Sequence, residues 1–285
     1  MGNVEPKVTI GLPTYNRAKL LLRCVNLVLN QTYKNWELMI SDDNSSDATP
    51  EVAQSLTELD GRIRYFRQDK RVFLPKNRNT ICSLAKSSLI FFIEDDLFLH
   101  RDCLTNLVQA YKESSSWRKV GAVTPRMITV GDSTAESDAG VVITISKWTG
   151  LIQGNFDIGC NERKKIVAGH SCSLISKEAW KEVGGYEENR YRGTNFREET
   201  DFYFRIGQKG YEIFFEPKAL TYHLKHDVGG CRYSSRLRDG YFFARNHVFF
   251  LFRFYKLRSV YMVPLFALYL AYKLVLCTVL RRAKK

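Results

Sequence analysis

The chain has 285 residues, 45% of them apolar and 13% aromatic, and a formal net charge of +13. That length and apolar share suffice for a full core, which excludes a disordered protein and allows one large domain or two small ones. The charge is uneven: Cys231–Lys285 holds twelve Lys/Arg against Asp239 alone, a net of +11 that leaves +2 for the first 230 residues and points to a tail with its own partner.

Met1–Pro6 has neither the basic region nor the apolar core of a cleavable signal, and Pro6 stands where a myristoylation signal needs a hydroxyl, so neither is expected. Lys7–Leu12 reads as a first strand, broken by Pro13-Thr14-Tyr15-Asn16-Arg17, with an apolar-periodic helix over Ala18–Asn30. Trp36–Ser41 is a second strand, ending in the cap-rich cluster Asp42-Asp43-Asn44-Ser45-Ser46-Asp47. A helix over Thr49–Leu59, a strand at Ile63–Arg67, a loop through Leu74-Pro75-Lys76 and a helix over Asn77–Ala85 follow. Leu89–Ile93 is then a buried strand that runs straight into Glu94-Asp95-Asp96. This β-α rhythm predicts an α/β fold with a mostly parallel sheet and helices on both faces.

Alternation along a strand sends Glu94 and Asp96 one way and Asp95 the other. Carboxylates this close repel unless a cation neutralises them. Taken alone, the tip is either a solvated turn or a cation site. Ligands of open α/β sheets bind beyond the carboxyl ends of the strands, so this cluster and Asp42-Asp43 would share one cleft. No GxGxxG or Walker A lysine motif follows the first strand.

Downstream, Asp102–Lys112 reads as a helix, and Val120–Val130 and Gly140–Ser146 as strands. Lys164–Ile175 changes texture before a short helix at Lys177–Val183 and the Gly184-Gly185-Tyr186 turn. A helix over Glu198–Lys209 stops at Gly210, followed by strands at Tyr211–Phe215 and Leu220–Leu224 on either side of a Glu216-Pro217 turn. The seven cysteines lack CxxC spacing and read as reduced thiols of a cytosolic protein, the alternative being that Cys160 and Cys172 pair or bind metal.

In order and spacing, Leu12-Pro13-Thr14-Tyr15-Asn16-Arg17, Asn30-Gln31-Thr32-Tyr33, Asp42–Asp47, Arg78-Asn79, Glu94-Asp95-Asp96, Gly184–Glu188 and Glu198-Glu199-Thr200-Asp201 form one series. The series resembles family 2 of the inverting glycosyltransferases, with the GT-A fold, over about residues 7–226. The resemblance implies a transferase of the hexosyltransferase class that uses a nucleotide-sugar donor, UDP-sugar first, and a divalent cation, Mn²⁺ or Mg²⁺. It makes Asp96 the metal ligand of the family's DxD motif and His223 a second one, with His226 as fallback. Glu94 and Asp95 then face the donor, with Glu94 a departure from the family's Asp. Tyr15 and Asp43 match the base-binding pair, where the ring stacks on a pyrimidine and the carboxylate accepts its ring N–H. Pro13, Thr14 and Asp42 shape that pocket, one of the two aspartates serving as a cap, and Arg78 would reach a donor phosphate. Glu199 matches the general base, a departure from Asp again, with Glu198 as the first member of the catalytic pair. The plain alternative for Glu198 and Asp201 is stabilisation of a helix N-terminus.

The tail divides off at residue 231, leaving a glycosyltransferase domain of a nucleotide-binding half (1–112) and an acceptor half (113–230). Arg245, Arg253 and Lys256 are spaced to lie on one side of a Phe/Leu-rich helix, and Val260–Leu280 has a single charge, Lys273. Basic flanks at both ends of that segment argue against a single span. The expectation is amphipathic helices lying in the anionic cytoplasmic membrane interface, or a re-entrant pair, with Lys273 snorkelling, and a chain cut at Gly240 should then stay soluble. The apolar runs argue against nucleic acid, and an oligomer interface is the remaining use for these helices. Acceptors of such an enzyme are lipid-linked or nascent glycans. Competing readings are a sugar-phosphate nucleotidyltransferase, for which a Gly-rich phosphate loop is missing, and a non-catalytic membrane-bound module that binds nucleotide sugars.

Overall fold

Val8, Ile10 and Leu12 point to one face of the first strand, and Met39, Ile90 and Phe92 of its neighbours point to the other; all are buried. Both faces must therefore be covered, and helices cover them. The computed structural model describes residues 5–130, 141–193, 195–224 and 236–283. In chain order the elements are β1 (Val8–Thr14), α1 (Ala18–Leu29), β2 (Trp36–Asp42), α2 (Thr49–Leu59), β3 (Ile63–Arg67), α3 (Phe73–Leu84), β4 (Leu89–Phe92), β5 (Leu97–Leu99) and α4 (Cys103–Ser115). They continue with β6 (Val120–Val130), β7 (Ile143–Ile145), β8 (Ile152–Gly154), β9 (Lys164–Ile166), β10 (Leu174–Ser176), α5 (Lys177–Glu182), α6 (Glu198–Gln208), β11 (Glu212–Leu224), α7 (Arg236–Tyr255) and α8 (Ser259–Ala283).

The main sheet runs β3-β2-β1-β4-β10-β6-β11-β5, with β9 also on β11, and β7-β8 form a separate ribbon. The expectation of a mostly parallel sheet holds for β3-β2-β1-β4 and for β6-β11 only. β10 runs antiparallel to both β4 and β6, and β5 and β9 run antiparallel to β11, so the sheet is mixed. Crossover helices link the parallel strands, whereas these short strands return by loops. Two expected strands, Tyr211–Phe215 and Leu220–Leu224, are one strand, β11, with its register broken between Glu216 and Leu220 at Pro217. α3 begins at Phe73, four residues earlier than the pattern suggests, because Pro75 falls in the first turn, where no amide donor is needed. Cys24, Cys82, Cys103, Cys160 and Cys172 are free thiols. His226 and the residue Gly140 that opens an expected strand lie outside the described residues.

The boundary at residue 231 does not separate a loose tail. Asn246, His247, Phe250 and Leu251 of α7 are fully buried. A side-chain carbon at Gly193 would run into the Phe242 ring, and one at Gly150 into Leu251, so body loops are shaped to receive α7. Arg245 donates to the Arg190 carbonyl at 2.9 Å, and Arg253 reaches Glu187 at 2.8 Å and Asp201 at 3.1 Å. These two arginines were expected to face lipid; they turn inward to partners in the body. Among the described residues no helix is long and apolar enough to cross a membrane.

Phe250→Ala is expected to cost about 3–5 kcal/mol, and a chain cut at Gly240, which loses the whole buried face of α7, to lose its cooperative melt. Leu268→Ala, at a residue 66% exposed, should leave the melting temperature unchanged. Thermal denaturation of the three variants checks this.

Candidate active site

The carboxyl ends of β1, β2 and β4 bring Thr14-Tyr15, Asp42-Asp43 and Glu94-Asp95-Asp96 to one edge of the sheet. Asp42 is buried and accepts from the Ser45 amide (2.9 Å), the Ser45 hydroxyl (2.5 Å) and the Tyr65 hydroxyl (2.8 Å), so it holds the turn after β2. Asp43 instead accepts the amides of Val72 (2.6 Å) and Phe73 (3.0 Å), two of the orphan donors at the start of α3. Phe73 adopts φ +65°, a left-handed conformation uncommon for a bulky residue, and its amide bonds Asp43 from there. Burial raises the Asp43 carboxyl above the usual range, opposed by those amides and by Arg71. The Arg71 guanidinium lies 4.1 Å from the Tyr15 ring centroid and 4.8 Å from that of Phe73. Arg71 was not anticipated: it sits in a polar loop where no periodicity assigns it a direction.

The acidic tip lies in the turn beyond β4, which ends at Phe92, so the expected strand alternation does not govern it; the turn itself parts Asp95 from Asp96. Asp95 turns toward Thr14 (3.5 Å) and Arg17 (4.0 Å), and burial pushes its carboxyl up to about 6. Asp96 turns the other way, with Oδ2 3.8 Å from His223 Nε2 and a buried Oδ1 that has no hydrogen-bond partner. Register explains the meeting: His223 of β11 lies directly opposite Leu97 of β5, the residue after Asp96. A carboxylate oxygen with no donor beside an imidazole fits a divalent cation. Among the described residues no group of three or more His, Cys, Asp or Glu could hold a metal, so such an ion would take its remaining ligands from elsewhere.

Glu94 points at Arg78, and so do Glu198 and Glu199 from the first turn of α6. Arg78, expected to reach a donor phosphate, is 1% exposed. Its Nη1 donates to Glu198, and its Nη2 stands 2.8 Å from Glu199 and 3.5 Å from Glu94. The Phe92 and Tyr186 rings lie 5.7 and 5.5 Å from the guanidinium carbon. Burial raises the Glu198 and Glu94 carboxyls, against the pull of Arg78. Glu199 keeps 30% of its side chain exposed and Glu198 only 4%. Asp201 accepts from Tyr191 (2.8 Å) and Arg205 (2.5 Å), a structural role. Neighbouring Asn79 faces away, toward Tyr186 and Trp180, beside a cavity of about 470 Å³ between α3 and α5 that is apart from the acidic cluster.

Two histidines, His170 half-buried and His247 buried, support this layer. His170 Nε2 meets the Pro125 carbonyl at 2.9 Å, and His247 Nε2 meets that of Thr149 at 2.8 Å. Arg197, the residue before Glu198, donates to His247 Nδ1 at 3.2 Å, from a left-handed conformation at φ +81°.

Residues 9–183 match Glycosyl transferase family 2. The GalNAc(5)-diNAcBac-PP-undecaprenol beta-1,3-glucosyltransferase of Campylobacter jejuni is 37% identical over 109 residues, 38% of this chain and 35% of that protein. The poly(ribitol-phosphate) beta-N-acetylglucosaminyltransferase TarP of Staphylococcus aureus is 34% identical over 115 residues, 39% of this chain and 34% of that protein. The chain thus aligns with about a third of the length of these relatives. A crystal structure of GalNAc-T7 with UDP, GalNAc and Mn²⁺ superposes with a TM-score of 0.73 at 16% identity, covering 91% of this chain and 50% of that one. The likeness establishes the GT-A fold.

Burial lowers both imidazoles, His170 and His247, to about 4. The unfolded chain takes up these protons near pH 6.5 and the native one only near 4, so stability is complete above that window and falls as pH drops through it. Burial raises the carboxyls of Glu198, Glu94 and Asp95, which titrate in the same window with the opposite sign. The check is therefore a comparison of melts from pH 7.5 to 4.5 for wild type and His247→Gln. The variant is expected to lose less stability on acidification than wild type, and equal pH dependence would contradict the histidine contribution.

Proposed function

The chain belongs to Glycosyl transferase family 2 and is a glycosyltransferase; we propose that it works by metal-dependent inversion on a UDP-sugar. Its acceptor is a lipid-linked or nascent glycan, met at the cytoplasmic face of the cell membrane. One observation carries the reading: a single guanidinium, Arg78, contacts both Glu94 on the donor side and Glu199 at the start of α6. The two acidic motifs therefore line one cleft. The names of the relatives support the acceptor class, one for a glycan on diphospho-undecaprenol and one for poly(ribitol phosphate). UDP and Mn²⁺ in the GalNAc-T7 structure support the donor and the cation.

In this reading Tyr15 and Asp43 hold the base, with Pro13 and Thr14 shaping the pocket around it, and Asp95 stands behind Thr14. Asp96 and His223 would hold the cation. A bound divalent ion there neutralises the diphosphate leaving group as a Lewis acid. Glu94 faces the donor sugar. Glu199 takes the proton of the acceptor hydroxyl as that oxygen attacks the anomeric carbon, because it is the member of the pair that an acceptor can reach. Glu198, buried, braces the pair.

α8 is the membrane-facing element. Met262 and Phe266 face inward, while Val260, Leu268, Tyr272 and Val275 are exposed, between basic Lys256 and Arg258 at one end and Arg281-Arg282 at the other. With Arg245 and Arg253 engaged in the body, the exposed Lys256 and Arg258 give about 1 kcal/mol each toward an anionic surface.

Nucleotide release from a UDP-sugar panel with Mn²⁺ tests the chemistry. Asp96→Ala is expected to abolish cation-dependent release, and Glu199→Gln to lower transfer about 10²–10⁴-fold; full activity in both would overturn the reading. For the tail, flotation with phosphatidylserine vesicles should occur at low salt and fail at high salt. A Leu268→Glu/Tyr272→Glu chain should melt normally and not float. A wild-type chain that never floats contradicts the membrane assignment.

A further inference from the structure

Arg78 is a deeply enclosed charge of the cleft. A donor phosphate approaching from solvent meets a side chain 1% exposed, beside the rings of Phe92 and Tyr186. Its contacts are carboxylates from two separate parts of the chain: Glu94 after β4, and Glu198 and Glu199 on α6. Two different nitrogens serve them: Nη1 donates to Glu198, and Nη2, without a hydrogen bond of its own, stands at ion-pair distance from Glu199 and Glu94, whereas a lysine ammonium is a single point of charge. The neighbouring Asn79 secures the far side of this clamp: it accepts from Trp180 Nε1 (2.9 Å) and the Tyr186 amide (2.8 Å), and donates to the Tyr186 carbonyl (2.9 Å). α3 thus ties the Gly184-Gly185-Tyr186 turn and the catalytic pair through consecutive residues.

We propose that Arg78 is a positioning residue of the transfer reaction, fixing Glu199 against the acceptor and locking the Glu198-Glu199 pair to the donor-side Glu94, rather than a ligand of the donor phosphates. The proposal rests on Glu199 being the base. It separates two quantities that a phosphate ligand would move together. Loss of the clamp displaces the base and lowers the turnover number for transfer; donor affinity, which depends on Tyr15, Asp43 and Asp96, stays.

The test uses the full chain with Arg78→Lys and Arg78→Met, reading UDP affinity with Mn²⁺ by calorimetry and the turnover number for transfer. The expected result is UDP affinity within about twofold of wild type and turnover lower by about 100-fold in Arg78→Met, with partial rescue in Arg78→Lys, since misplacement of about 1 Å costs roughly that much. Lost UDP affinity, with or without lost turnover, assigns Arg78 to the phosphates and overturns the proposal, as does no change in either quantity. Should neither variant melt cooperatively, Glu198→Gln breaks the same clamp from its other end, with the same two readouts and the same expected split. Failure of the base assignment itself is recognised separately, by an active Glu199→Gln. An inactive Glu199→Gln beside an Arg78→Met chain of normal turnover sinks only the clamp.

Discussion

A guanidinium buried beside two carboxylates from the first turn of one helix and a third from a strand end is the constraint on which this cleft depends. Removing such a charge from water costs several kcal/mol, and only close opposite charge offsets it. Arg78 can stay buried only if α3, the tip after β4 and the start of α6 all arrive together. The three carboxylates repel one another, so none of them sits comfortably in this space without Arg78. The same requirement reaches further out. Arg197, which starts α6, donates to His247 of α7, and Asp201 in the next turn contacts Arg253 of α7. The C-terminal helix therefore helps to set the position of the pair from which the proposed base comes.

Much of this is local and legible in the chain. The strands β1, β2, β3 and β4 and their helices follow from apolar period and turn residues, whereas the split of Asp96 from Asp95 is made by the turn between β4 and β5 and not by strand alternation. The series of motifs points to the family that the chain matches. What stayed hidden depends on partners distant in sequence. Asp43 lies in a run that reads as a local cap, yet it caps α3, some thirty residues on. The pairing of β11 with β5 that brings His223 to Asp96 shows in no pattern of either strand, and only the family resemblance points to the two residues together. Arg78 on an amphipathic helix looks like a solvent-facing residue until α6 closes over it.

The tail shows the same limit from the other side. Its composition suggests one basic, aromatic membrane segment, but the structure divides it between two surroundings. α7 belongs to the body, with Phe250 packed edge-on to Phe204 and Arg253 paired with Glu187. α8 keeps Met262 and Phe266 inside and leaves Leu268 and Tyr272 outside. Charge counted along a sequence overstates what faces a lipid surface when part of it is neutralised internally. Any movement of α8 at a membrane would be felt by α7, and through it by α6.

The claim that one arginine unites the two acidic motifs is tested most directly by a double-mutant cycle on the turnover number for transfer, pairing Arg78→Met with Glu199→Gln. If Arg78 acts through Glu199, the account predicts strong non-additivity: Arg78→Met costs about 100-fold alone and almost nothing once Glu199 is glutamine. Two losses that simply multiply would show that the residues act independently, and would contradict it.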